Sequence, residues 1–200
     1  MRSWKIGLAI AMLACIAALS LTAQDGASDG PRFVDGTRLA RPTNYREWVF
    51  VGSSVGLTYL PPGNGTAAPP FANVFVNPSS YRSFMQTGKW PNATMLVLEV
   101  RRSSSESELV KGGRFQTDLV ALEANVKDSR LPDGWAFYTW GPPSALKDAA
   151  DPAPPGQAIP GEGTCVDCHI NRTAVERTFV QFYPTLLEVA RQKGTVKPGF

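Results

Sequence analysis

The residues of this chain whose types and spacing could do chemistry are concentrated in one short run, Cys165-Val166-Asp167-Cys168-His169. Two thiols three positions apart can reach the two vinyl groups of one porphyrin, while the adjoining imidazole is placed under the iron; this is the attachment pattern of c-type haem. One covalently attached haem c is therefore expected, with Cys165 and Cys168 forming the thioether links and His169 serving as the iron's axial ligand. Three other chemistries use similar residues. Structural zinc needs about four nitrogen or sulfur ligands, and beyond the N-terminal segment the chain offers only these two cysteines and this one histidine. A thioredoxin-like redox pair usually opens a helix after a strand, whereas a Pro- and Gly-rich stretch, residues 141–163, precedes Cys165. A disulfide between Cys165 and Cys168 is chemically allowed in an oxidising compartment but leaves His169 without a role.

His169 is the single histidine of the sequence, so a bis-histidine iron is excluded. The sixth position falls to methionine, to another donor such as lysine, or to no protein group. Outside the N-terminal segment only Met85 and Met95 could supply a thioether. Met85 lies in an expected helix and Met95 opens an expected strand, where methionine ordinarily fills core space. An open distal side is the favoured expectation, and it points to small-ligand chemistry rather than simple electron relay.

The elements that must position this motif follow from the rest of the chain. Arg2 and Lys5 precede an uncharged apolar run, Ile6 to Leu21, of 16 residues. That is short for a membrane span and suits a cleaved export signal, residues 1–23, ending at Ala23 or near Ser20, with no membrane span after cleavage; an uncleaved anchor is the alternative. Removing it leaves 18 basic against 17 acidic residues, too even a balance for nucleic-acid binding. Residues 24–43 read as an irregular arm, and 44–200 as a single domain. A short helix is expected from Tyr45, capped by Asn44, with Trp48 to Val51 an alternative strand start. Alternation and β-branched content predict strands at Phe71 to Asn77, Met95 to Arg101, Phe115 to Lys127 and Trp135 to Trp140. Helices are expected at Ser79 to Thr87, Thr173 to Tyr183 and Pro184 to Lys193. Arg102 to Gly113 reads as a solvated loop and residues 141–163, with six prolines, as an extended one. The fold class is thus α+β, mainly β: an antiparallel meander with a few helices around one haem.

Taken in order, several segments resemble the cytochrome P-460 family, which includes the beta-sheet type of cytochrome c prime. They are Asn44-Tyr45-Arg46-Glu47-Trp48, Phe75-Val76-Asn77-Pro78, Thr87-Gly88-Lys89-Trp90-Pro91 running into Met95 to Val100, Leu122-Glu123 to Asp128, Gly134-Trp135-Ala136-Phe137, and the haem motif followed by Thr178 to Pro184. The resemblance implies a periplasmic, mostly antiparallel β protein, often a homodimer, enclosing one five-coordinate haem. P-460-like members oxidise hydroxylamine, and c prime-like members bind nitric oxide or carbon monoxide on the open iron face.

The family's enzymes carry a lysine linked to the porphyrin, and the matching position here is Leu98. Leucine cannot make that bond, and Leu96 and Val100 extend the same apolar face. The resemblance also implies a distal acid as proton acceptor, for which Glu123 is the candidate; the bland alternative places Glu123 on a water-facing side of its strand, opposite Leu122 and Ala124. Phe71, Phe75, Trp135 and Phe137 are candidates for the distal pocket wall, with plain core packing as the alternative. Three functions stay open: capture of a small diatomic such as nitric oxide, oxidation of hydroxylamine or a related nitrogen compound, and His/Met electron transfer with a redox partner cytochrome.

Overall fold

The computed structural model describes residues 29–36, 38–57, 68–106, 109, 112–140, 157–158 and 164–200. The expected signal segment 1–23, with Cys15, and most of the 141–163 stretch lie outside them.

Six strands form one antiparallel sheet in chain order: β3 (Val49–Val55), β4 (Phe71–Val76), β5 (Thr94–Ser104), β6 (Phe115–Lys127), β7 (Trp135–Thr139) and β8 (Gln157–Ala158). A small ribbon of β1 (Phe33–Val34) and β2 (Arg38–Leu39) precedes it. The meander and the mainly β class expected from the sequence are what the chain adopts. At the 128–134 turn between β6 and β7, the Asp128 amide donates to the Gly134 carbonyl at 3.0 Å and brings the two strands into register.

Both faces of the sheet are covered, which explains why Met95-Leu96-Val97-Leu98 reads as a continuous apolar run rather than a strict alternation. On one face Met95, Val97, Leu122, Ala124 and Val126 pack with Leu39, Tyr45 and Trp48 from the N-terminal arm. On the other, Val74, Val76 and Leu96 pack with Phe84 of α1 (Pro78–Thr87), with Leu186 of α3 (Pro184–Gln192), and with Val175 and Val180 from the segment before α3. Proline stands in the first turn of both helices, where its missing N–H costs nothing. Asn77 makes no side-chain cap on α1. Instead Asp29 of the arm accepts from the Ser79 amide at 2.7 Å.

Four expectations are corrected. The strand expected to end at Arg101 continues to Ser104, because Ser103 and Ser104 still find partners in Gln116 and Phe115 after two register shifts. The segment at Tyr45 is a single 3-10 turn without a side-chain cap, and Trp48 to Val51 leads into strand β3. The arm holds the β1–β2 ribbon rather than being irregular throughout. Thr173 to Tyr183 is not one helix: Val175 and Thr178 form an isolated bridge, Glu176 takes a positive φ of 50°, and only Val180–Phe182 makes a 3-10 turn. Backbone carbonyls of that segment serve other donors, Arg177's taking Asn125 and His169 and Glu176's taking Thr173, in place of the i+4 amides a helix would supply.

Candidate functional site

The haem motif lies on a short helix, α2 (Thr164–Asn171), with Cys165 in its first turn and His169 near its end. The last carbonyls of the helix, which have no intrahelical partners, are satisfied by side chains: Thr173 Oγ1 donates to the His169 carbonyl at 2.6 Å and Lys197 Nζ to the Ile170 carbonyl at 3.1 Å. A cation at this end also complements the helix dipole.

Beneath α2 lies a cavity of about 780 Å³, in the upper part of the roughly 300–1,000 Å³ range of small-molecule and cofactor sites. Its floor is the second sheet face: Val74 of β4, Leu96, Leu98 and Val100 of β5, Glu123 and Asn125 of β6, and Phe137 of β7. Register puts these side by side, since Leu98 pairs with Val74 and Glu123, and Asn125 pairs with Leu96 and Phe137. Cys168, His169 and Arg172 close one side, and Thr178, Phe179 and Phe182 another.

His169 is held tightly. Its ring stands 4.4 Å from that of Phe137 and 4.6 Å from that of Phe179. Its Nδ1 is 2.9 Å from the Arg177 carbonyl. A carbonyl only accepts, so Nδ1 carries the proton and Nε2 keeps a free lone pair, the arrangement a metal-binding imidazole uses. Burial pushes the imidazole below its ordinary pKa range, and the Arg177 bond acts in the opposite direction. The ring is therefore neutral near pH 7 and available as a ligand.

Glu123 lines this cavity and is half-buried. Among the described residues nothing hydrogen-bonds its carboxyl, and burial raises its pKa above the ordinary carboxylate value. Leu98 and Phe137 also line the cavity. Phe75 does not: alternation sends Val74 and Val76 to the cavity side, and Phe75 packs on the other face, 5.6 Å from both the Tyr45 and Phe50 rings. Phe71 and Trp135 are likewise absent from the lining. Met95 is buried in the opposite core, and Met85 packs beside α3 without reaching the cavity. Two further participants, Asn125 and the Arg177 carbonyl, lie outside the sequence expectations. Alternation from Glu123 places Asn125 on the same face, but no sequence pattern announces a backbone carbonyl as an imidazole partner.

A half-buried imidazole whose second ring nitrogen has no partner among the described residues, set against a largely apolar cavity walled by a sheet, gives a β protein the donor and the space that a metal-bearing cofactor needs. The chain belongs to the Cytochrome P460 family, whose model matches residues 42–180. It is thus a haem-binding cytochrome by family. A search of the curated proteins finds no match. The residues present fit a haem: the cavity is large and mostly apolar, and Cys168 and His169 line it together. No helix among the described residues is long and apolar enough to cross a membrane.

Proposed function

We propose that the protein carries one covalently attached haem c, bound through Cys165 and Cys168 and ligated by His169, and captures a small neutral ligand such as nitric oxide on the open distal side. The observation that carries this reading is the composition of the cavity: among the described residues that line it, His169 is the one imidazole, and neither Met85 nor Met95 is present. Haem, when bound, supplies a redox-active iron with a position for a small ligand. Phe137 and Phe179 fix the imidazole plane, and the Arg177 carbonyl fixes its tautomer. Leu96, Leu98 and Val100 offer nothing to solvate a charged species, which favours a neutral diatomic over an anion beside them. Residues 44–200 form the haem domain of an exported, periplasmic protein released from residues 1–23. Exposed Phe50, Val55 and Phe115 support association into a homodimer, and a redox partner cytochrome would supply electrons.

The test is the absorption spectrum of purified, maturation-competent holoprotein in both oxidation states, with and without nitric oxide, together with intact mass after denaturation. One porphyrin's added mass and a five-coordinate ferrous spectrum that changes with nitric oxide are expected. A colourless protein removes the haem reading, and a six-coordinate low-spin ferrous spectrum without added ligand removes the open site.

A second reading, hydroxylamine oxidation, is favoured by Glu123, a carboxyl facing the cavity with its pKa raised and thus suited to accept a proton. It needs a haem environment supplied by some residue other than Leu98. Tryptic mapping decides: haem held only by the peptide containing Cys165 and Cys168 counts against a cross-linked enzyme.

A further inference from the structure

We infer that Asn125 is a positioning residue that sets the donor strength of His169 through a carbonyl the two share, an inference that rests on the haem reading above. The Arg177 carbonyl accepts from His169 Nδ1 at 2.9 Å and from Asn125 Nδ2 at 2.7 Å. A carbonyl oxygen has two lone pairs and can accept both, but each donor draws on the same electron density. The orientation of the amide follows from this contact, because an Oδ1 in its place would set two acceptors against each other. Its own Oδ1 is buried with no hydrogen-bond partner among the described residues. A half-satisfied buried amide is destabilising, and what it contributes here is the donor on the Arg177 carbonyl.

The sheet holds that donor in place. Asn125 sits in β6 between its register partners Leu96 and Phe137, and Phe137 contacts the His169 ring. The loop carrying Arg177 has other anchors. Lys127 Nζ binds Glu176 at 2.9 Å and the Trp90 carbonyl at 2.7 Å, and Trp90 Nε1 donates to Thr178 Oγ1 at 2.8 Å. Asn125 is therefore not needed merely to hold the loop; its distinct contribution is to occupy the second lone pair of the carbonyl. With that pair occupied, the hydrogen bond from His169 is weaker and the imidazole is a poorer electron donor. Partners of this kind tune a metal through its ligand.

The experiment compares the ferric/ferrous midpoint potential and the iron–histidine stretching frequency of the reduced holoprotein with those of Asn125→Leu and Asn125→Ala, with Lys127→Met as a control on loop position. Leu keeps the branched outline but adds bulk and Ala opens space, so loss of the donor is what the two share. A lower potential and a higher stretching frequency in both, with Lys127→Met near the wild type, is the expected result. Unchanged values, opposite shifts in Leu and Ala, or an equal drop in Lys127→Met overturns the inference while leaving the haem reading intact. A wild-type protein without haem removes both.

Discussion

Leu98 and Glu123 are register partners on β5 and β6, and both line the cavity under α2. An aliphatic side chain thus stands directly beside a carboxyl that has no hydrogen-bond partner among the described residues. Directly paired side chains on neighbouring strands have Cβ atoms about 4.5–5.5 Å apart, so the character of one sets the electrostatics of the other.

Replacing Glu123 with Gln is expected to stabilise the protein at neutral pH. The folded carboxyl has a raised pKa, through burial. Between the ordinary value and the raised one the folded state binds more protons than the unfolded state, so stability falls as pH rises through that window. The gain in Glu123→Gln should be present at pH 7 and vanish below about pH 4, where the wild-type carboxyl is neutral in both states. Thermal unfolding at the two pH values reads this, and a variant no more stable at pH 7 would contradict the raised carboxyl pKa.

Leu98→Lys places an ammonium beside the same carboxyl. An opposite charge at this range favours ionisation, so Glu123 should titrate at lower pH than in the wild type. The infrared carboxyl band followed against pH gives the answer; an unmoved midpoint would mean that the two side chains do not meet.

On the far side of the sheet, Glu99 of β5 is 3% exposed and sits in a polar network. It accepts from Tyr45 Oη, from Arg101 Nε at 2.7 Å and from Arg46 Nε at 3.0 Å. Burial raises its pKa, yet the bonds from Arg101, Tyr45 and Arg46 outweigh burial and bring it down to about 2. A depressed carboxylate contributes stability that is present above its unfolded pKa and is lost as pH falls through the folded one. The wild type should therefore lose this contribution between about pH 4.3 and pH 2. Glu99→Gln should cost about 2–3 kcal/mol at pH 7, less than a fully buried pair because Arg46 is half exposed. Urea unfolding at pH 7 and pH 2 would show the difference between variant and wild type shrinking in acid.

Thr178→Val tests the anchoring of the loop behind His169. The Thr178 hydroxyl accepts from Trp90 Nε1 and donates to the Val175 carbonyl, both at 2.8 Å. Valine keeps the shape and leaves the buried indole N–H unpaired, at a cost of about 1–3 kcal/mol. Chemical denaturation measures it, and a change below about 0.5 kcal/mol would mean that the indole finds another partner.

The parts of this protein legible from the sequence are those governed by local rules. Two thiols and an imidazole in one pentapeptide are placed by covalent spacing. The strands Phe71–Val76, Phe115–Lys127 and Trp135–Thr139 follow from side-chain alternation and β-branched content, and Pro184 marks the start of α3. Thr173 to Tyr183 departs from its expected helix because apolar spacing alone does not distinguish a helix from a looped segment whose carbonyls serve other elements.

What covers each face of a sheet is a matter of tertiary packing. Alternation separates Glu123 from Leu122 and Phe75 from Val74, but it does not say which side holds the cavity. Only the docking of α2 and the 173–183 segment on one face, and of the N-terminal arm on the other, turns Glu123 and Asn125 inward, sends Phe75 away, and brings the Arg177 carbonyl to His169. Local sequence carries the chemistry of the ligating residues. Their surroundings arise from contacts between segments far apart in the chain, whose pairing no short-range pattern encodes.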